Sequence, residues 1–197
     1  MLNERSPLIL ASTSPTRADI LRAHNIAFIQ MESGFNEDTL STNNPKTFVL
    51  QACANKLQST LAKLNANKEL ERALKFGILC ADSVISVEGQ LLRKAKTLQE
   101  ARNMLEFQSA KRISVLTAMS YQSERGVFLD MSVCHLELSR FSPISLEHYL
   151  ESREWEGKAG CVMGEGFHKP YIRRQIGLES CARGLSVEKL LAFLEVL

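Results

Sequence analysis

The chain predicts a layered fold, α/β or α+β, in which a sheet with antiparallel members packs against helices. Three observations carry that reading. Short apolar runs such as Leu8–Ala11 and Phe76–Ala81 are bounded by turn or polar residues, as buried strands are. Helix-period apolar stripes separate them, above all after Pro45. Two strand-like stretches, Arg112–Ser120 and Gly126–Leu138, flank a polar turn at Gln122–Arg125, the pattern of an antiparallel pair.

In chain order, Pro7–Ala11 reads as a buried strand that stops at Ser12-Thr13-Ser14-Pro15. Ser14 is placed to cap a helix and Pro15 suits its first turn, with Ile20, Leu21 and Ala23 as its apolar stripe. His24-Asn25 ends that helix and Ile26–Met31 forms a second strand. Glu32–Asn44 is polar and loop-like. Pro45 opens a long helix with Phe48, Val49, Ala52, Leu57, Leu61 and Leu64 at mostly helical spacing, extending with a break to Leu74. Phe76–Ala81 is a strand ending at Asp82. Val84–Val87 continues extended, Glu88-Gly89 turns, and Gln90–Leu92 returns. Thr97 and Glu100 have capping-box spacing before a helix with Ala101, Met104 and Leu105 inward. Pro143–Tyr149 is a short helix, Trp155–Gly166 a glycine-rich irregular stretch, and Ser186–Leu194 a closing amphipathic helix.

Composition narrows the function classes. A chain of 197 residues with 45% hydrophobic and 23% charged residues builds a real core and is expected to form one domain spanning 1–197. Lys+Arg number 24 against 22 Asp+Glu, so the formal charge is only +2, which speaks against a nucleic-acid polymer as partner. No apolar window approaches the length of a membrane span, and the start lacks an export signal, so a soluble cytoplasmic protein is expected. The cysteines, Cys53, Cys80, Cys134, Cys161 and Cys181, form no C-x-x-C pair and read as small buried hydrophobes. The scattered His24, His135, His148 and His168 read as structural. Arg173-Arg174 and Lys111-Arg112 read as solvated basic pairs. There is no P-loop, dinucleotide fingerprint, H-E-x-x-H or Gly-x-Ser-x-Gly motif.

Chemistry concentrates in three places. At Ser12–Arg17 a strand feeds a helix start, placing backbone N–H groups, hydroxyls and Arg17 around one point, as a phosphate requires; an ordinary capped helix with a solvent-facing arginine fits the same pattern. Asp82 stands at the end of an apolar strand, where a carboxylate either holds Mg²⁺ or Mn²⁺ beside phosphates or caps a turn. Glu37 is the partner carboxylate the sequence offers, and Lys56 and Lys94 add charge for a polyphosphate or lie on the surface. Gly157–Gly160 with Gly164–Gly166 form a pliable loop that carries Lys158 and Glu165 toward a cleft or out into solvent.

Together these segments resemble the Maf family of nucleoside triphosphate pyrophosphatases. Leu8–Arg17 is similar to the family's first motif and Cys80-Ala81-Asp82-Ser83-Val84 to its Ala-Asp-Thr-Val block, followed by the Gly89 turn and Lys94. Trp155–Gly160 resembles the third motif, and Gly184-Leu185-Ser186 the closing Gly-Leu-Pro. The resemblance covers nearly the whole chain. It implies an α/β fold like that of inosine triphosphate pyrophosphatases, a mixed twisted sheet flanked by helices, with two lobes around a deep cleft.

It further implies hydrolysis of a nucleoside triphosphate, plain or modified, to the monophosphate and pyrophosphate with a divalent cation, Mg²⁺ or Mn²⁺, and a homodimer. By the same resemblance Asp82 and Glu37 are the catalytic and metal-holding carboxylates. Ser12, Arg17, Lys56, Lys94, Lys158 and Glu165 bind substrate, with Glu165 where many members have Gln. Departures are Thr16 in place of a first arginine, Arg93-Lys94-Ala95 for Gly-Lys-Pro, Ser186 for proline, and Cys161–Gly164 before Glu165. Thr16 and Glu165 lean toward the branch that prefers 7-methylguanosine triphosphate over the dTTP and UTP branch. Two other classes compete with this reading: a phosphomonoesterase or nucleotide-binding transferase, and a non-catalytic regulator of division or nucleic-acid binding.

Overall fold

The sheet is built outward from its longest apolar strands. In the computed structural model, which describes residues 7–196, strand β1 (Leu8–Ala11) pairs in parallel with β2 (Phe28–Met31) on one side and with β3 (Ile78–Val87) on the other. The polarity then changes. β3 runs antiparallel to β5 (Arg112–Ser123) along its whole length, β5 to β6 (Gly126–Leu138), and β6 to a short edge strand, β7 (Ile172–Ile176). β4 (Gln90–Leu92) lies off this path and pairs with the far end of β3. The mixed sheet flanked by helices is the architecture expected. The expected domain limits, 1 and 197, lie outside the described residues.

The helices begin where the capping residues dictate. Ser14 Oγ accepts the Arg17 N–H at the start of α1 (Pro15–Ala23), and Asn44 Oδ1 accepts the Thr47 N–H at 3.0 Å at the start of α2 (Pro45–Ala66). After a break, α3 (Leu70–Phe76) leads into β3. Thr97 Oγ1 caps α4 (Leu98–Gln108) through the Glu100 N–H, while the Glu100 carboxylate reaches back to the Lys96 N–H at 2.7 Å. α5 (Pro143–Ser152), a single-turn α6 (Glu179–Ala182) and α7 (Val187–Val196) complete the set. Among the described residues no helix is long and apolar enough to cross a membrane.

Strand alternation distributes the core. Leu79 and Ala81 of β3, with Met119 and Tyr121 of β5, face α1 and α7, whereas Ile78, Cys80 and Val84, with Leu116 and Ala118, face α2 and α3. A third cluster, with Ile85, Val87, Ile113, Val115 and Leu136, packs under α4, α5 and Trp155. All five cysteines are buried and free, as small hydrophobes. Trp155 donates its indole N–H to the Leu150 carbonyl at 3.1 Å and anchors its loop on this third cluster.

Three details depart from the sequence reading. β3 does not end at Asp82 but runs on to Val87, because β5 continues to pair with it from Ile78↔Gln122 to Val87↔Ile113. The β5–β6 turn is tighter, with Ser123 opposite Gly126. The Arg173-Arg174 pair belongs to β7: its side chains are exposed, and an edge strand with one partner shows no alternating burial to betray it.

Candidate active site

The site occupies a gap in the sheet edge. β1 covers β3 only at Ile78 and Leu79, and β4 covers it only from Ile85 onward. Between them Asp82, Ser83 and Val84 keep β5 on one side while their other edge faces the end of β1 and the Ser12–Ser14 turn. A ligand crevice at the carboxyl end of a parallel strand is thereby formed, although Asp82 itself sits mid-strand. The period of two then separates the chemistry: Asp82 points to the α2 face and Ser83 to the α1 face.

On the α2 face, Lys56 stands between two carboxylates. Its ammonium donates to Glu37 Oε1 at 2.6 Å and to Asp82 Oδ1. Lys56 is 9% exposed and Asp82 only 4%, and Asp82 Oδ2 is buried with no hydrogen-bond partner. Burial pushes the Asp82 carboxyl above its ordinary range, helped by the Glu37 charge and opposed by Lys56 and Arg17. Glu37 is shifted the other way. Burial alone would raise it, but the attraction and hydrogen bonds of Lys56 and Lys94 together hold it below the usual value.

On the α1 face, Arg17 is held rigidly. Its Nε donates to the Gly184 carbonyl at 2.8 Å, one terminal nitrogen to Ser12 Oγ at 3.0 Å, and the other to Ser83 Oγ at 3.1 Å. Ser83 in turn shares a hydrogen with Thr117 Oγ1 at 2.9 Å, and Thr117 donates to the Cys181 carbonyl at 2.9 Å. The direction of the chain is thus set from arginine to serine to threonine to carbonyl. Gly184 has φ of +95°, and a Cβ there would lie 3.2 Å from Ser83 Oγ and 3.5 Å from Arg17 Nε. Burial lowers the Arg17 pKa, with Asp82 the largest charge opposing it, so the two faces share one field.

The opposite wall comes from the segment after β4. Arg93 donates to the Glu37 carbonyl at 3.0 Å and to Asp38 Oδ1 at 2.6 Å, lies over the Phe48 ring, and so ties the Glu37 loop down. Lys94 reaches Glu37 Oε2 at 3.4 Å and forms a β-bridge with Ala159. Gly160 follows, with φ of +55° and no room for a Cβ against Ile85. The Glu37 loop, Ser83 and the segment after β4 line a cleft of about 700 Å³, with Lys94 among its polar residues and Phe35, Leu91 and Met104 among its apolar ones; Ser12, Arg17, Lys56 and Asp82 adjoin this lining through Glu37 and Ser83 without belonging to it.

Six of the eight residues singled out in the sequence, Ser12, Arg17, Glu37, Lys56, Asp82 and Lys94, are linked by these contacts and shared charges. The other two stand apart. Lys158 donates to the Glu154 carbonyl within its own loop, and Glu165, 58% exposed, pairs with Arg183. Ser83, Thr117, Gly184 and Arg93 join the site through contacts that the sequence pattern does not mark. Ser83 was readable from alternation beside Asp82, whereas Thr117 depends on the β3–β5 register, which puts it opposite Ser83.

The two carboxylates bear on the divalent cation. The buried, unpartnered Asp82 Oδ2 and the hard oxygen donors of Asp82 and Glu37 suit Mg²⁺ or Mn²⁺. Among the described residues no cluster of three or more His, Cys, Asp or Glu is placed to hold a metal ion.

The model of the Maf-like protein family matches residues 7–197. The chain belongs to the Maf-like family. It is 43% identical over 189 residues to a nucleoside triphosphate pyrophosphatase of Helicobacter pylori (strain ATCC 700392 / 26695), covering 96% of this chain and 95% of the relative. A protein of the same name from a Nitratiruptor species is 39% identical, over 92% of this chain and 95% of its own. Another from Campylobacter jejuni subsp. jejuni serotype O:23/36 (strain 81-176) is 34% identical, over 95% of this chain and 100% of its own. The Maf-like match therefore spans every element that builds the cleft.

Proposed function

We propose that this chain is a nucleoside triphosphate pyrophosphatase in which Asp82 and Glu37 work on the α-phosphorus of a triphosphate lying in the cleft. Membership in the Maf-like family and the pyrophosphatase relatives support the activity. The single observation that carries the assignment of residues is the buried Asp82–Lys56–Glu37 group beside the anchored Arg17.

In the proposed reaction the bond between a water oxygen and the α-phosphorus forms while the bond from that phosphorus to the bridging oxygen breaks. Pyrophosphate leaves with the bridging oxygen. The water proton passes to a carboxylate. Asp82, whose Oδ2 carries no hydrogen bond, has the free oxygen to accept it. Arg17, prefixed by three hydrogen bonds, offers charge to the phosphate oxygens without reorganising, and Lys56 and Lys94 add theirs. Ser12 is already bound to Arg17 and presents its turn to the same oxygens. Asp82 and Glu37 would hold a Mg²⁺ or Mn²⁺ ion, which when bound polarises phosphoryl oxygens. The apolar wall of Phe35, Leu91 and Met104 suits the faces of a nucleobase. With Glu165 engaged by Arg183, base selection is assigned to this wall rather than to Glu165.

Asp82→Asn tests the assignment. Turnover of a panel of plain and modified triphosphates with Mg²⁺ or Mn²⁺, with products resolved by phosphorus NMR, should give monophosphate and pyrophosphate for the wild type. The variant should lose about 100-fold or more in kcat while keeping its melting temperature. Orthophosphate as the first product, or wild-type turnover in the variant, would overturn the proposal.

A further inference from the structure

The Lys56 ammonium occupies the place between Glu37 and Asp82 where a cation bound by both carboxylates would sit. Asp82, Lys56 and Arg17 are buried, so their charges are weakly screened; Lys56 and Arg17 already balance Asp82 and the partly buried Glu37, and the half-exposed Lys94 adds a further, more strongly screened positive charge. A bare divalent ion entering this cleft meets a site already neutralised. A triphosphate complexed with that ion keeps a net negative charge and meets a site of complementary sign. The three cations also differ in freedom. Arg17 is fixed by three hydrogen bonds, whereas Lys56 is held at its charged end only by the two carboxylates, on a flexible four-carbon stem rooted in α2. Lys56 can therefore be drawn away by phosphate oxygens, and Arg17 cannot. Asp82 Oδ2, buried and without a partner, leaves the carboxylate with an unused oxygen donor that a replacing cation could engage.

We propose that Lys56 is a resident counter-cation that keeps free divalent metal out of the nucleotide-free cleft, so that the metal enters together with the nucleotide as Lys56 moves from the carboxylates to the phosphates. The proposal rests on the reading of the cleft as a triphosphate site. It makes metal and nucleotide binding strongly coupled, with Lys56 as the coupling element.

Calorimetric titration with Mn²⁺ tests it. Wild-type protein should bind Mn²⁺ alone weakly, and about tenfold or more tightly once a non-hydrolysable triphosphate analogue is present. Lys56→Gln should bind Mn²⁺ alone about tenfold more tightly than the wild type, and Mn²⁺ should raise its melting temperature more than that of the wild type. A second exchange, Asp82→Asn in the Lys56→Gln background, should abolish that gain. If Lys56→Gln does not fold, Lys56→Met, uncharged and of similar length, takes its place in the same titrations, and the Mn²⁺ bound by the analogue in a protein-free control is subtracted throughout. Equal Mn²⁺ affinity with and without the analogue, in a protein that binds the analogue, would overturn the counter-cation and leave the triphosphate reading intact. Failure to bind the analogue under any condition would overturn both.

Discussion

Lowering the pH should weaken this protein through one histidine. His168 is fully buried; its Nδ1 accepts the Met163 N–H at 3.1 Å, which leaves Nε2 to donate to Gln108 Oε1 at 3.2 Å. Gln108 then donates its amide to the Gly160 carbonyl at 2.6 Å, so the neutral ring holds the loop that forms one wall of the cleft. Burial pushes the imidazole pKa down to about 3, from 6.5 in an unconstrained chain. The unfolded protein takes up this proton first. The contribution to stability is therefore complete above pH 6.5 and declines as the pH falls toward 3. Between pH 7.5 and 5.0 the linkage amounts to about 2 kcal/mol from this residue. Urea unfolding at both values, on the wild type and on His168→Gln, isolates it. The wild type should lose about 2 kcal/mol more than the variant over that interval. Equal losses would refute a buried neutral His168.

Two more exchanges probe the arginine seat. Gly184→Ala places a side chain at a φ of +95° against Ser83 and Arg17, which should cost about 1–2 kcal/mol in denaturant unfolding and raise KM for the triphosphate about tenfold. Thr117→Val deprives the Cys181 carbonyl and the Ser83 hydroxyl of a partner, with an expected loss of about 1–3 kcal/mol and a higher KM, both restored by Thr117→Ser.

What the sequence disclosed followed from how locally each feature is encoded. The Ser12–Arg17 turn was legible because a strand, hydroxyl residues and a capped helix start are adjacent in the chain. The convergence of Glu37, Lys56 and Asp82 required the resemblance as well, since three separate elements carry them. Asp82 read as a strand end because hydrophobicity falls there; its true mid-strand position depends on β5, whose pairing no local pattern announces. For the same reason the Ser83–Thr117–Cys181 chain is not legible in the sequence, being set by register and by the α6 segment folding over it. The direction of Glu165 is not legible because a glycine-rich loop carries it, and its ion pair with Arg183 joins two segments that no local pattern relates.

The position of attack is the most direct test of the account. Hydrolysis of a triphosphate in water enriched in oxygen-18 should place the label in the monophosphate and leave the released pyrophosphate unlabelled. Label in the pyrophosphate would mean attack at the β-phosphorus and would contradict the arrangement of Asp82 and Glu37 around the α-phosphorus.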